Sequence, residues 1–184
     1  MDTIHPVLTL QKKLFEETVI GDVRRTFCSF GLDMDIAPLR VDSRLKNPRL
    51  GAGSLLDIDI YSLTWGLLTL DARIGEQVEK PNVVAVQTLS DQIDVSSSVL
   101  LQYPSTRRQG ILTSTTESKT DRAFCRIEGT QGHIIVEGIA ASAPDTFIIY
   151  SKNSRSTKGD VSGMTAKPNR EVFKFDRVGM GFYW

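Results

Sequence analysis

Cysteine and histidine are scarce in this chain, with two of each in 184 residues. Cys28 and Cys125 sit in separate apolar, strand-like runs. His5 and His133 stand far apart with no ligand types beside them. A zinc site needs several Cys, His or carboxylate ligands brought together at short spacings, so no metal site is expected. The thiols read as buried and free in a reducing compartment, with a structural disulfide as the other possibility. No G-x-S-x-G elbow is present to expose a hydrolase nucleophile. An excess of one charge is also missing, since 22 Lys and Arg face 22 Asp and Glu. Such a balance exerts no long-range pull on nucleic acid or an anionic membrane, and neither is expected as a partner. No apolar run approaches the ~18 residues of a membrane span. The opening MDTIHPVLTLQKKLFEE has no basic leader region and no small-residue cleavage site, so a cytoplasmic protein is expected.

What remains is an ordinary globular composition, 40% hydrophobic and 24% charged. Leu10, Leu14 and Phe15 lie at helical spacing in residues 7–17 and predict a short amphipathic helix. Val23, Phe27 and Phe30 alternate with polar residues and predict a strand. Residues 51–75, GAGSLLDIDIYSLTWGLLTLDARIG, carry apolar residues on every side from Leu55 to Leu70, the mark of a buried helix. Ser54 would cap its start, with Asp57 as a capping-box partner, and Gly75 would stop it. From residue 81 seven short β-branched or alternating runs follow, separated by turn formers. Gly129–Thr130–Gln131–Gly132 reads as a hairpin turn. The polar stretch 152–169 reads as a mobile loop. Helices in front and strands behind predict an α+β domain, an open and mostly antiparallel sheet with helices packed on one face.

Three stretches resemble the C-terminal domain of the Gfo/Idh/MocA oxidoreductases. IGDVRRTFCSFG (20–31) is similar to that family's first strand after its nucleotide-binding domain. RLKNPRLGAGSLLDIDIYSLTW (44–65) resembles its G-G-G-x-L-x-D-x-G-x-[HY] signature, with Tyr61 at the last position. IEGTQGHIIVEG (127–138) resembles its I-x-G-T-x-G-x-I-x-V hairpin. Tyrosine at position 61 points to the dihydrodiol and sugar dehydrogenase branch. The resemblance implies an NAD(P)-dependent oxidoreductase acting on a cyclic polyol or an aldose. It also implies that residues 1–184 form one substrate-side and oligomerisation domain, cut at both ends, with the Rossmann domain absent. NADP or NAD, the family's cofactor, is then not expected to be bound by this chain alone. Gly51–Ala52–Gly53 lacks the third glycine and the βαβ setting of a dinucleotide site. Glu79–Lys80–Pro81 has the letters of the family's catalytic-lysine tripeptide but lies in the wrong domain, and reads as a solvated turn.

Oxidising an alcohol needs a base for its hydroxyl proton and an acceptor for its hydride. Asp57 and Tyr61, four apart, project from one face of a helix near its start. By resemblance, a residue at the Tyr61 position works with a lysine of the nucleotide domain. A free tyrosine has a pKa of about 10, and an adjacent ammonium would draw it down. Arg44 is a candidate to orient a substrate hydroxyl or carboxylate, or to pair with Asp42. Trp65 is a candidate sugar platform or a core residue. Asp57 and Tyr61 also have plain readings, as a cap and an amphipathic core residue. Asp59 departs from the motif, which has glycine there, and a carboxylate so placed would oppose ionisation of Tyr61.

Three functions follow from this reading. One is a dehydrogenase of diols or sugars. Another is a truncated, non-catalytic relative that dimerises or binds. The third is an unrelated binding module built as a closed barrel. An exposed sheet face carrying Val84, Val86, Leu100 and Ile111 would favour a homodimer.

Overall fold

A computed structural model describes residues 6–71, 79–152 and 168–175. Helix α1 (Pro6–Gln11) runs into a π-helical turn (Lys12–Glu16), and strand β1 (Val23–Gly31) follows. An irregular stretch leads through a 3-10 turn (Pro48–Leu50) and a second π-helical turn (Leu55–Asp59) into α2 (Ile60–Leu70). Seven strands complete the chain: β2 (Asn82–Ser90), β3 (Ile93–Tyr103), β4 (Arg108–Thr115), β5 (Ala123–Gly129), β6 (Gly132–Ala140), β7 (Ala143–Ser151) and β8 (Asn169–Lys174). All seven runs expected from the sequence after residue 81 are strands. Of the predicted mobile loop (152–169), residues 153–167 lie outside the described residues, as does Gly75, and Asn169 begins β8.

The strands form one sheet in the order β2-β3-β4-β1-β5-β6-β7-β8. β1 and β4 are parallel and every other neighbouring pair is antiparallel. The parallel pair requires a crossover, and α2 lies within it, packed on β1 and β4. β2 and β8 end the sheet without pairing to each other. The sheet is therefore open, which disposes of the closed-barrel reading.

The core lies between α2 and the sheet. Trp65 has no exposed surface and packs on Phe124, with ring centroids 5.6 Å apart. Its indole N–H donates to the Ala141 carbonyl (2.8 Å), which satisfies the one polar group such a burial would strand. Gly66 brings the helix down onto β4, where a Cβ would stand 2.6 Å from a Leu112 methyl. The Thr26 and Thr69 hydroxyls meet inside this layer at 2.7 Å. Leu10 of α1 and Leu14 of the π-helical turn after it extend the cover. Cys28 and Cys125 are free and buried, opposite one another on β1 and β5.

Burial of the long helix is one-sided, contrary to the sequence reading. Leu56, Ile60 and Leu67 are about half to two-thirds exposed along its outer face. The described fold has a single helix layer, so only the sheet-facing stripe is covered. Among the described residues no helix covers the opposite sheet face, although Ile148 on it is buried. Val84, Leu100, Ile111, Phe27, Arg126, Ile135, Ile148 and Val172 stand in register across all eight strands, one apolar row broken by one arginine. A polar row flanks it, in which Arg25 and Arg126 both pair with Glu128, and His133 stacks on Tyr150. Among the described residues no helix is long and apolar enough to cross a membrane.

Trp65→Ala removes the largest fully buried side chain and leaves the Ala141 carbonyl without its donor. The expected loss is about 3–5 kcal/mol of unfolding free energy. A urea titration of the two proteins measures it.

Candidate functional site

The start of the long helix is built by contacts from elsewhere in the chain. The 3-10 turn ends at Gly51, which adopts a left-handed conformation (φ 77°). Gly53 follows at φ 123°, and a Cβ there would stand 2.0 Å from Asp94 Oδ1. Only glycine meets both demands, the backbone angle and the close approach. This approach places Asp94, from β3, at the helix start. Its Oδ2 accepts from the Leu55 N–H (2.6 Å), the Ser54 hydroxyl (2.8 Å) and the Ser97 hydroxyl (3.0 Å).

The expected local cap is therefore replaced. Ser54 is wholly buried, adopts helical dihedrals and donates to a carboxylate instead of accepting from a backbone amide. Asp57 does not complete a capping box; it forms an ion pair with Arg44. Arg44 is the more exposed partner at 67%, and Asp57 is mostly covered at 16%. The Arg44–Asp42 pairing fails because Arg40 holds Asp42 through two hydrogen bonds of 2.9 Å.

The other end of α2 is held in the same manner. The Arg108 guanidinium, from β4, donates to the Leu70 carbonyl (2.7 Å). An anion at the helix start and a cation at its end both match the helix dipole. Sequence reading missed Asp94 and Arg108. Each lies some forty residues from the helix end it serves, and no local pattern marks such a pair.

Tyr61 is half-buried, with its ring edge-on to Phe30 of β1 at 5.4 Å between centroids. Arg44, Asp57 and Tyr61 are thus gathered around one helix start, and the first two are in contact. The π-helical turn over Leu55–Asp59 widens the backbone between Asp57 and Tyr61. Such turns are frequent at functional sites. Trp65 lies apart from this group. With no exposed surface, it belongs to the core and offers no platform to a substrate.

Asp59 also departs from its expected place. It is fully buried on the sheet side, whereas Asp57 faces Arg44. Its pKa is pushed up to about 6, chiefly by burial and further by the Asp94 carboxylate, against the lowering effect of the Ser114 and Ser62 hydroxyls. Glu79 accepts from the Ser105 N–H (2.9 Å) and hydroxyl at the turn after β3. Glu79 and its neighbour Lys80 lie in the irregular segment that leads into β2, with Lys80 exposed. Among the described residues no three or more His, Cys, Asp and Glu gather as a metal would need.

Known proteins resemble this chain in sequence and in fold. Trans-1,2-dihydrobenzene-1,2-diol dehydrogenase of Xenopus laevis is 30% identical over 168 residues, covering 89% of this chain and 45% of that protein. D-xylose 1-dehydrogenase (NADP(+)) of Hypocrea jecorina is 30% identical over 137 residues, covering 68% of this chain and 35% of that protein. The chain belongs to the Gfo/Idh/MocA oxidoreductase family. It corresponds to the family's C-terminal domain and spans less than half the length of these relatives. The crystal structure of an NAD binding oxidoreductase from Klebsiella pneumoniae shares the fold, with a TM-score of 0.68 at 16% identity, covering 93% of this chain and 44% of that one. No protein-family model matches the chain.

Asp94→Ala strands the Leu55 N–H and the Ser54 and Ser97 hydroxyls in a buried layer. The expected destabilisation is on the order of 1–3 kcal/mol, from the cost of unpaired buried donors. Amide exchange should quicken first at residues 54–59. Equal exchange throughout α2 would show that Asp94 does not anchor the helix start.

Proposed function

We propose that this chain is the substrate-side domain of a dehydrogenase acting on a vicinal diol or an aldose. The observation that carries this reading is the grouping of Arg44, Asp57 and Tyr61 at one helix start, in a chain 30% identical to dihydrodiol and D-xylose dehydrogenases. The Tyr61 hydroxyl is the candidate to exchange the alcohol proton. Arg44 has donors left beyond its pairing with Asp57, and these would orient a second hydroxyl of the substrate. Asp57 would hold the guanidinium in place.

The described residues do not fit the nucleotide. The one glycine-rich stretch that opens a helix, Gly51–Ala52–Gly53, closes on the Asp94 carboxylate. Asp94 itself already accepts from the Leu55 N–H, and its negative charge would repel a pyrophosphate. The hydride acceptor must be held by residues outside this set, such as a nucleotide-binding domain. The exposed stripe of Leu56, Ile60 and Leu67 beside the site is consistent with an unmet partner surface.

The reading is tested by adding D-xylose and trans-dihydrobenzenediol to isotopically labelled protein and following amide shifts. Shifts should concentrate on Arg44, Asp57 and Tyr61 and weaken at least tenfold in Arg44→Ala. Shifts absent at millimolar ligand, or confined to other residues, would sink it.

A second reading, a non-catalytic domain that pairs through its sheet, draws on the apolar row of the open face. Both readings share one consequence, a homodimer formed through that face. Val84 and Leu100 are adjacent in the row and 61% and 48% exposed. Leu100→Glu would place a charge at the centre of such an interface. Sedimentation should show a dimer for the wild type at micromolar concentration and a monomer for the variant, with circular dichroism unchanged. A monomeric wild type would rule out this mode of pairing.

A further inference from the structure

Asp59 stands where the motif that this chain resembles has glycine. It is completely buried, and neither carboxylate oxygen has a hydrogen-bond partner of good geometry. The Ser114 hydroxyl of β4, close enough to act on it, is also buried without a partner. Two acceptors and a rotatable hydroxyl lie together, joined by no hydrogen bond of ordinary geometry, so only weak donation from the Ser114 and Ser62 hydroxyls meets a charge on the carboxylate. An ionised carboxylate left in this state would be costly. A neutral carboxyl resolves the conflict, because it supplies one O–H donor and leaves the Ser114 hydroxyl free to donate elsewhere.

The surrounding charges point the same way. β3 contributes Asp94, a second carboxylate already engaged by Ser54, Leu55 and Ser97, and Tyr103 at its far end. β4 contributes Ser114 and the Thr113 carbonyl, which accepts from Ser62, and its Arg108 is at the opposite end of the helix. On β1, Arg24 is paired with Asp22 and Arg25 with Glu128. On the helix itself, Asp57 is paired with Arg44, and Tyr61 rests on Phe30. No cation on these elements is placed to neutralise Asp59.

We propose that Asp59, when it carries a proton, latches the site helix to β4 by donating to the Ser114 hydroxyl, so that the seating of this helix depends on pH. The proposal is independent of any dehydrogenase activity. Its direction follows from linkage. The folded-state pKa of about 6 lies above the ordinary 3.8, so the folded chain holds this proton more tightly than the unfolded one. The stabilisation is fully present below pH 3.8 and is lost as pH rises through about 6. His133 acts with the opposite sign. Burial, followed by Arg126, lowers its pKa, so its contribution is lost as pH falls. The sign of the slope therefore separates the two groups.

Thermal unfolding from pH 4.5 to 8 tests the latch. In a His133→Gln background, which removes the opposing slope, the midpoint should fall as pH passes 6. Asp59→Asn, neutral at every pH and able to donate to Ser114, should abolish that fall and be the more stable protein at pH 8. An unchanged slope in Asp59→Asn would overturn the proposal. So would a wild-type midpoint at pH 8 that rises with added sodium, potassium or magnesium and loses this response in Asp59→Asn, because a cation would then be the partner. If Asp59→Asn does not fold, carboxyl carbon shifts of labelled wild-type protein still decide the matter. A buried aspartate titrating near 6 supports the latch, and titration of every aspartate below 4.5 refutes it.

Discussion

The architecture around the candidate site depends on the Asp94 carboxylate. One oxygen of this side chain gathers a backbone amide and two serine hydroxyls at the start of the long helix. The interaction joins β3 to the segment that carries Asp57, Asp59 and Tyr61. It also explains the glycine at position 53, whose missing Cβ leaves room for the carboxylate. Arg108 repeats the arrangement at the other end of the helix with the opposite charge. The helix is thus held at both ends by the sheet beneath it, each tie favoured by the helix dipole.

This anchoring divides the two carboxylates near Tyr61 between different environments. Asp57 reaches the surface and takes a cation. Asp59 is turned inward and finds only hydroxyls and another carboxylate. Two residues of one type, two positions apart, thereby acquire different protonation chemistry. The cause is the helix rotation that the anchors impose, which puts one on the solvent side and the other against β4. The functional proposal uses the outer residue, and the latch uses the inner one.

The fold was legible in the sequence to a large extent. β-branched alternation located all seven strands after residue 81, and Gly129 to Gly132 located a hairpin, because these signals are local and lie within a few residues. The placement of the candidate residues was legible in part. Arg44 meets Asp57, and Tyr61 follows on the same helix. Trp65 does not join them, because helical periodicity alone cannot say which side of an all-apolar helix meets the sheet. The extent of the helix's burial was misjudged for the same reason. Leu56, Ile60 and Leu67 have the composition of a core and the exposure of a surface.

The amino-acid sequence by itself determined the element types, their order, the open α+β class and the family motif. All of these reside in short-range patterns of hydrophobicity and turn chemistry. Only the tertiary structure decided how the helix ends are satisfied, which of its carboxylates is buried and that apolar residues of seven of the eight strands align in one row. The physical reason is distance along the chain. Ser54 looks like a cap because local rules see only neighbours. The groups that hold the helix, Asp94 and Arg108, come from strands about forty residues further on and meet it only when the sheet has formed.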